Sequence, residues 1–453
     1  MIPADIDLDL IRKYNRPGPR YTSYPTALEF TETVDREALI ADLKSGTGPL
    51  SLYFHLPFCE SLCWFCGCTT VITTNRGRAD HYLDILEKEI ALYREAIDPS
   101  RTAAQLHFGG GTPNFLTPPQ IERLGKMIHD NFSFSADAEM SVELAPAHLS
   151  EEQVHAFRAI GMTRASFGVQ DVDPTVQKAI HRIQPQSTNI EAVGWLRKAG
   201  FTSVNVDLIY GLPHQSEATF EKTIEAAIEL DPDRLAVFSY AHVPWVKPAQ
   251  KILERACLPE PETKLRILKM LIEKLTAAGY HYIGLDHFAK TDDELSVAQR
   301  NHTLQRNFQG YSTRAGVEIC AFGLSAISQS TRTYRQNYKG LDEYEAAIEA
   351  GKLPIERGYL LTDDDVIRRD TIHRLMCDLQ LDYAAMSERH GIDFEDYFRP
   401  CLDSLDEMEA DGLVTRQPGR LLVEPMGRLL IRNIAMTFDA YLGDTEKRFS
   451  KTV

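Results

Sequence analysis

The chain has 453 residues, enough for about three ordinary domains or one large catalytic domain with additions, and at this length it needs no disulfide or metal merely to fold. Hydrophobic residues make up 43% and charged residues 25%, and 49 basic against 65 acidic side chains give a net charge of −16. That balance argues against a general binder of nucleic acid or anionic membrane, though not against a local basic pocket.

No run approaches the ~18 apolar residues of a membrane span, and the N-terminus carries acids where a secretory signal would be basic and then apolar, so a cytoplasmic protein is expected. Residues 1–45 lack strong periodicity, and the Pro-, Arg- and Tyr-rich stretch from Lys13 to Ala27 reads as an extended arm. From residue 46 to about 330, short apolar runs alternate with helical patterns. LSLYFHL is the first expected strand. It is followed by a helix with Tyr82, Leu86, Ile90, Tyr93 and Ile97 on one face, and then by AQLHF and EMSVELA as the second and third strands. Thr117–Gln120 and Ser150–Gln153 read as capping boxes that open helices. Gly161, Gly200 and Gly279 each separate a helix end from an apolar run, as a left-handed helix stop would, and RLAVFSY is a sixth strand. Serial βα units from Leu50 to Ala289 demand a parallel sheet, a partial or full barrel, with its active site at the C-terminal strand ends. Residues 331–453 read as a mainly helical domain around a small β-hairpin at Gln417-Pro418-Gly419, similar to a winged helix. Arg416, Arg420, Arg428 and Arg432 make its end basic; a solvated face is the expected reading, and nucleic-acid binding the minor one.

Four of the eight cysteines fall within ten residues: Cys59, Cys63, Cys66 and Cys68. Cys257, Cys320, Cys377 and Cys401 are scattered and are expected to be buried apolar thiols. Cys59, Cys63 and Cys66, spaced C-x3-C-x2-C directly after the first strand, can hold three irons of a cubane cluster and leave the fourth open. A structural zinc site usually wants four ligands, often as two separated C-x2-C pairs, and there is no second pair. A thioredoxin-like pair, Cys63 and Cys66, would not need Cys59.

This loop after the first of serial βα units resembles the radical S-adenosylmethionine superfamily. RPGPRYTSYPTA, LYFHLPFC, CWFCGC, HFGGGTP, FGVQDVDPTVQKAIHRIQP, VDLIYGLPHQ and NFQGYST together resemble the oxygen-independent coproporphyrinogen III oxidase family. The resemblance implies a partial (β/α)6 TIM-like barrel, α/β in class, with an extended N-terminal arm and a mainly helical C-terminal domain. It implies one 4Fe-4S cluster on three cysteines, with S-adenosylmethionine on the open iron and a second S-adenosylmethionine beside it. It also implies oxidative decarboxylation of two propionates of coproporphyrinogen III to vinyl groups through a 5′-deoxyadenosyl radical, in porphyrin and haem biosynthesis. A one-electron reductant such as flavodoxin or ferredoxin, an electron acceptor of unknown identity and a monomeric enzyme complete that expectation.

Residue by residue, the resemblance places Gly110, Glu143 and Ile327 at the first S-adenosylmethionine. It places Gly111, Thr112, Gln170, Arg182, Asp207 and Ala241 at the second, with Tyr53 and Phe65 flanking the two ligands. Glycines admit close backbone approach, Arg182 can fork onto a carboxylate, and Asp207 can accept from ribose hydroxyls. Trp64 and Phe65 would shield the cluster, or simply pack in the core. Cys68 is implied near the substrate as a hydrogen donor, His55 as a retained histidine or a satisfied core residue, and Phe308-Gln309 on the substrate side of the cavity. An anionic tetrapyrrole needs local cations, and Arg16 and Arg20 in the arm are the candidates; a solvated tail is the bland alternative. Ala145, Thr69-Thr70 and Asn114 depart from the family's pattern at positions that are not implied ligands. The closest rival is a haem-carrying chaperone with the same cluster loop, which CWFCGC, the Tyr-rich arm and NFQGYST disfavour.

Overall fold

The computed structural model describes residues 6–255, 257–442 and 449–452. The serial βα pattern becomes one twelve-stranded sheet. Its strands β1 (Leu50–Leu56), β2 (Ala103–Gly110), β3 (Phe134–Leu144), β4 (Arg164–Gln170), β5 (Ser203–Tyr210) and β6 (Arg234–Ser239) lie side by side in chain order and are all parallel. β1 is buried along nearly its whole length, as a strand covered on both faces must be, and its run LSLYFHL is accordingly apolar almost throughout. The two expected capping boxes form: the Thr117 amide donates to the Gln120 side chain at 2.9 Å and the Gln153 amide to the Ser150 hydroxyl at 3.3 Å. The helix Gly77–Ala96 buries Tyr82, Leu86, Ile90 and Tyr93 against the sheet.

The third glycine-marked repeat does not make another βα unit. β7 (Tyr280–Gly284) and β8 (His287–Lys290) form a tight antiparallel hairpin, and β8 pairs antiparallel with β6. A parallel return needs a crossover of a dozen residues or so, and the stretch between these strands is too short for one. The next parallel neighbour comes from further along the chain. β9 (Glu318–Phe322) pairs parallel with β1, and β10 (Ile327–Gln329), β11 (Thr333–Asn337) and β12 (Ile355–Leu360) run on from it as an antiparallel meander. The sheet order is therefore β12-β11-β10-β9-β1-β2-β3-β4-β5-β6-β8-β7, an open rather than closed barrel.

The expected domain boundary at 330 falls inside this sheet, which ends only at Leu360. A separate C-terminal core then gathers Ile372, Leu375, Phe394, Phe398, Leu421 and Ile434. Its hairpin, Val414–Gln417 against Arg420–Val423, forms as expected and gains a third strand, Gln380–Asp382.

The arm is not a solvated tail. It contains helices at Leu8–Tyr14 and Arg36–Ser45, and Tyr21 and Tyr24 are buried in the C-terminal core. The Tyr21 hydroxyl donates to Asp439 at 2.8 Å, and the Tyr24 hydroxyl accepts from the Ala440 amide at 3.0 Å. Of the basic end of the C-terminal domain only Arg420 is exposed, as a solvated face would be. Arg416 is held by Asp406 and Glu409, while Arg428 and Arg432 are buried on backbone carbonyls. Of the scattered cysteines, Cys320 and Cys377 are buried as expected, Cys401 is half-buried and Cys257 is exposed.

Candidate active site

The C-terminal ends of β1 to β6 surround two cavities that share walls. One, of about 370 Å³, is lined by Cys59, Cys63, Cys66 and Cys68 together with the loop Gly110–Thr112. The other, of about 430 Å³, runs into the barrel past Tyr53, His107, Phe308, Gln309 and Ile327. Glu143, Ser166, Asp207 and Phe238 line both, so the two form one continuous space.

The thiols are set by backbone and neighbours. The Cys59 thiol lies 3.3 Å from the Thr112 hydroxyl, Arg182 points a guanidinium N–H at Cys63 Sγ at 3.7 Å, and the Cys68 amide donates to Cys66 Sγ at 3.4 Å. Burial pushes the Cys59 thiol up to about 11. Contact with Cys68, aided by Lys247 and Arg182, lowers Cys66, and Cys68 rises in return. Trp64 stacks on His181 with ring centroids 5.0 Å apart, and both Trp64 and Phe65 pack against the apolar cluster of Val176, Ile180 and Leu253. Of the two expectations for these rings, core packing is the contact seen.

The glycine loop is shaped for close approach. Gly110 has φ +115, and a Cβ there would sit 2.8 Å from the His55 imidazole. At Gly111 a Cβ would strike the Pro57 carbonyl at 2.5 Å. The two departures Asn114 and Ala145 turn out to be partners: the Asn114 amide exchanges hydrogen bonds of 3.1 and 2.8 Å with the Ala145 backbone and ties this loop to the end of β3.

Glu143 accepts from the Gly110 amide at 3.2 Å and faces His107 Nε2 at 3.4 Å. Burial alone would raise this carboxyl, but His107, the Gly110 amide and His55 hold it below the usual carboxylate range. Its side chain is still 48% exposed and lines the open cavity, although each oxygen already has one protein neighbour. Asp207 behaves oppositely: burial and the nearby Glu143 charge push it up to about 7, against bonds from Asn205 at 2.7 Å and Ser166 at 3.4 Å. Gln170 has φ +66, uncommon outside glycine, and its Oε1 and the Nε of Arg182 are buried without a partner. His55 is the satisfied core residue. Its Nδ1 meets the Tyr53 hydroxyl at 3.1 Å and its Nε2 the Thr69 carbonyl at 2.9 Å, so neither nitrogen is free to act on a ligand.

Among the remaining expected site residues, Gln309 is exposed at the tip of the hairpin Gln305–Asn307/Gly310–Ser312, while Phe308 turns inward onto Tyr334 at 5.7 Å. Ala241 lines neither thiol-bearing nor barrel cavity but a third one, together with Arg20. Arg16 stays exposed, with its carbonyl on the Thr452 amide. Two residues escaped the sequence reading. His107 stacks on Tyr53 at 5.7 Å and holds Ser141 at 2.6 Å, and Phe238 walls both cavities. His107 stood in plain view: Gln105, His107 and Gly109 alternate along β2, the inward set of an otherwise apolar strand.

The chain is 45% identical to an oxygen-independent coproporphyrinogen III oxidase of Synechocystis over 99% of this chain and 98% of that one. It is 46% identical to the Escherichia coli protein of the same name over 99% of each. This chain belongs to the oxygen-independent coproporphyrinogen III oxidase family. The solved structure of the Escherichia coli family member HemN, described as a radical SAM enzyme, superposes with a TM-score of 0.93 at 45% identity, covering 97% of this chain and 99% of that one. The Radical SAM superfamily profile matches residues 53–227, from β1 to the helix after β5, and the HemN C-terminal domain profile matches 361–430, starting just past β12. The coproporphyrinogen III oxidase family is thus represented here along its whole length, as an oxidoreductase of the radical S-adenosylmethionine superfamily.

The residues present fit the family's cluster and nucleoside cofactor. Three soft thiols share one cavity wall. Among the described residues no three His, Cys, Asp or Glu side chains converge on a single-ion position, as a zinc site would require. The glycine cradle and the two orphaned polar atoms of Gln170 and Arg182 border the same space.

Proposed function

We propose that this protein carries out, without oxygen, the oxidative decarboxylation of two propionate side chains of coproporphyrinogen III to vinyl groups, giving protoporphyrinogen IX in porphyrin and haem biosynthesis. The observation that carries the reading is identity of 45–46% to named oxidases over essentially the whole chain, with the thiol-lined cavity opening directly into the barrel. The chemistry that a 4Fe-4S cluster with S-adenosylmethionine supplies when bound is reductive, hydrogen-abstracting radical chemistry. Overall, each reacting propionate gives up a hydrogen atom, one further electron and carbon dioxide.

The chain's own part is holding, orienting and excluding water. Cys59, Cys63 and Cys66 would hold three irons. Gly110, Glu143, Tyr53 and Ile327 would hold the S-adenosylmethionine on the open iron, its cationic sulfonium or ribose hydroxyls suiting the ionised Glu143. Gly111, Thr112, Gln170, Arg182 and Asp207 would hold a second molecule, with Phe65 at its edge; Ala241, in the third cavity, stands apart from them. His55 is a positioning residue, since it sets Tyr53 and fixes the floor under Gly110. Gln309 and Phe308 would meet the tetrapyrrole, with Cys68 at the cavity rim as hydrogen donor and Arg20 as a cationic contact. The exposed Arg16 lines none of these cavities and would at most steer the substrate's charge. We read the enzyme as a cytoplasmic monomer served by a one-electron donor such as flavodoxin or ferredoxin.

The test is an anaerobic assay of iron-reconstituted protein with S-adenosylmethionine, reductant, electron acceptor and coproporphyrinogen III, read by chromatography for vinyl products. Product from wild type and none from Cys63→Ala is expected. No product from a protein with an intact cluster and tight haem binding would point to a haem carrier instead.

A further inference from the structure

The third cavity, of about 290 Å³, lies behind the Phe238 ring: Phe238 walls the reaction space, and the guanidinium of Arg20, which lines the third cavity, stands 5.6 Å from that ring's centroid. Among the described residues its wall carries four cations, Arg20, Lys264, Arg432 and Lys451, and one acid, Asp286. Arg20 is paired with that acid. Arg432 is committed to structure. It donates to the carbonyls of Gly18, Pro19, Lys451 and Thr452, stapling the N-terminal arm to the C-terminal tail along the cavity's outer side.

Lys264 is different. It has no carboxylate partner among the described residues; its ammonium reaches only the Tyr240 carbonyl, at 3.5 Å, and lies 5.8 Å from the centroid of the Tyr210 ring. Burial and the charge of Lys451 hold it down to about 8. The cations on the floor of the main cavity are, in contrast, already neutralised. Arg164 meets Glu294 at 2.6 Å, and Arg234 meets Asp293 at 2.9 Å and Glu294 at 2.8 Å. A half-buried ammonium among other cations is costly until an anion completes it.

We infer that this cavity is a carboxylate subsite that takes one of the propionates the reaction leaves intact, with Lys264 and Arg20 as its cationic contacts. The inference rests on the proposed oxidase activity, which supplies an anionic tetrapyrrole. A reacting propionate belongs on the thiol side of Phe238, and this cavity is on the other side of that ring.

The test titrates coproporphyrin III, the stable oxidised form of the substrate, into wild type, Lys264→Gln, Lys264→Arg and Lys451→Gln by fluorescence, with the tetramethyl ester as control. S-adenosylmethionine binding is measured in parallel. Lys264→Gln should weaken coproporphyrin III roughly tenfold, raise KM for coproporphyrinogen III similarly and hold kcat within about twofold, while Lys451→Gln should cost about threefold. Lys264→Arg should restore binding, and the ester should bind wild type and Lys264→Gln alike. Unchanged coproporphyrin III binding in a Lys264→Gln protein with normal cluster absorbance and melting temperature overturns the subsite. So does a loss of S-adenosylmethionine binding in place of tetrapyrrole binding, which would give the cavity to the nucleoside's carboxylate. Should Lys264→Gln fail to fold, unchanged binding in Lys451→Gln, altered only on the exposed tail, overturns it equally. Absence of vinyl product from wild type removes the oxidase reading, and the coproporphyrin III titration still decides the cavity.

Discussion

Glu89, on the helix behind β1, and Asp207, on β5 inside the mouth, are both carboxyls that burial raises to about 7, yet the protein finishes only one of them. Glu89 accepts from the Tyr344 hydroxyl at 2.6 Å, the Asn337 amide at 2.7 Å and the Gly323 N–H at 2.8 Å, so both of its oxygens are satisfied. Asp207 has one close donor, Asn205, one distant one, Ser166, and an open cavity. A completed buried carboxyl welds the β9 edge to the helix; an incomplete one waits for a ligand to supply its partners.

The sharpest break in that comparison is at the thiols. Cys63→Ala should abolish cluster absorbance and vinyl product completely while leaving the melting temperature of the cluster-free protein nearly unchanged, because among the described residues only Arg182 makes a hydrogen bond to that sulfur. Next is Glu89→Leu, which strands three donors in the core and should cost about 3 kcal/mol or more in urea denaturation. Asp207→Asn should cost less than about 1 kcal/mol, since Asn can keep the Asn205 and Ser166 contacts. That variant should instead lower the stoichiometry of S-adenosylmethionine from two to one in equilibrium dialysis. Gly110→Ala combines a positive φ with a clash on His55 and should cost about 1–3 kcal/mol and most of the turnover, measured by melting and by the vinyl assay.

The most gradual effect is in pH. A carboxyl whose folded value is raised binds its proton more tightly when folded. The stability this gives is full below the unfolded value near 4.5 and is lost as pH rises through about 7. Between those limits each such carboxyl should contribute a slope of at most about 1.4 kcal/mol per pH unit. Glu89→Gln should flatten that slope without ligand present. Adding S-adenosylmethionine should flatten the Asp207 share and leave the Glu89 share, and an unaltered slope in both experiments would remove the distinction between the two sites.

The six parallel strands and the helix starts were legible because alternation, capping boxes and glycine stops are local signals. The thiol triplet was legible because its chemistry lies within eight residues. β9 was not: EICAF is a short apolar run like many others, and only its long-range pairing with β1 makes it part of the barrel. The burial of the arm was hidden for the same reason, because nothing near Tyr21 or Tyr24 reveals that Asp439 will accept from one hydroxyl and the Ala440 amide donate to the other. Arg428 and Arg432 looked like surface charge because a sequence does not say which carbonyls will surround a guanidinium. His107 could have been found from strand alternation alone, whereas the marked difference between Glu143 and Asp207 depends on which amides and charges the fold turns toward each.

The late arrival of β9 carries a consequence for synthesis. β1 bears the thiol loop at its end, and it gains its second hydrogen-bonded neighbour only when the chain has grown about 260 residues past it. At roughly 5–20 residues per second, a translating ribosome leaves that strand edge bare for about 13 to 50 s. An unpaired, almost wholly apolar edge is a template for association with other chains. The thiols at its tip pass the same interval beside a half-built barrel. Loading of iron and sulfide would then be best timed after β9 docks, when the edge is closed and the walls around the thiols are complete.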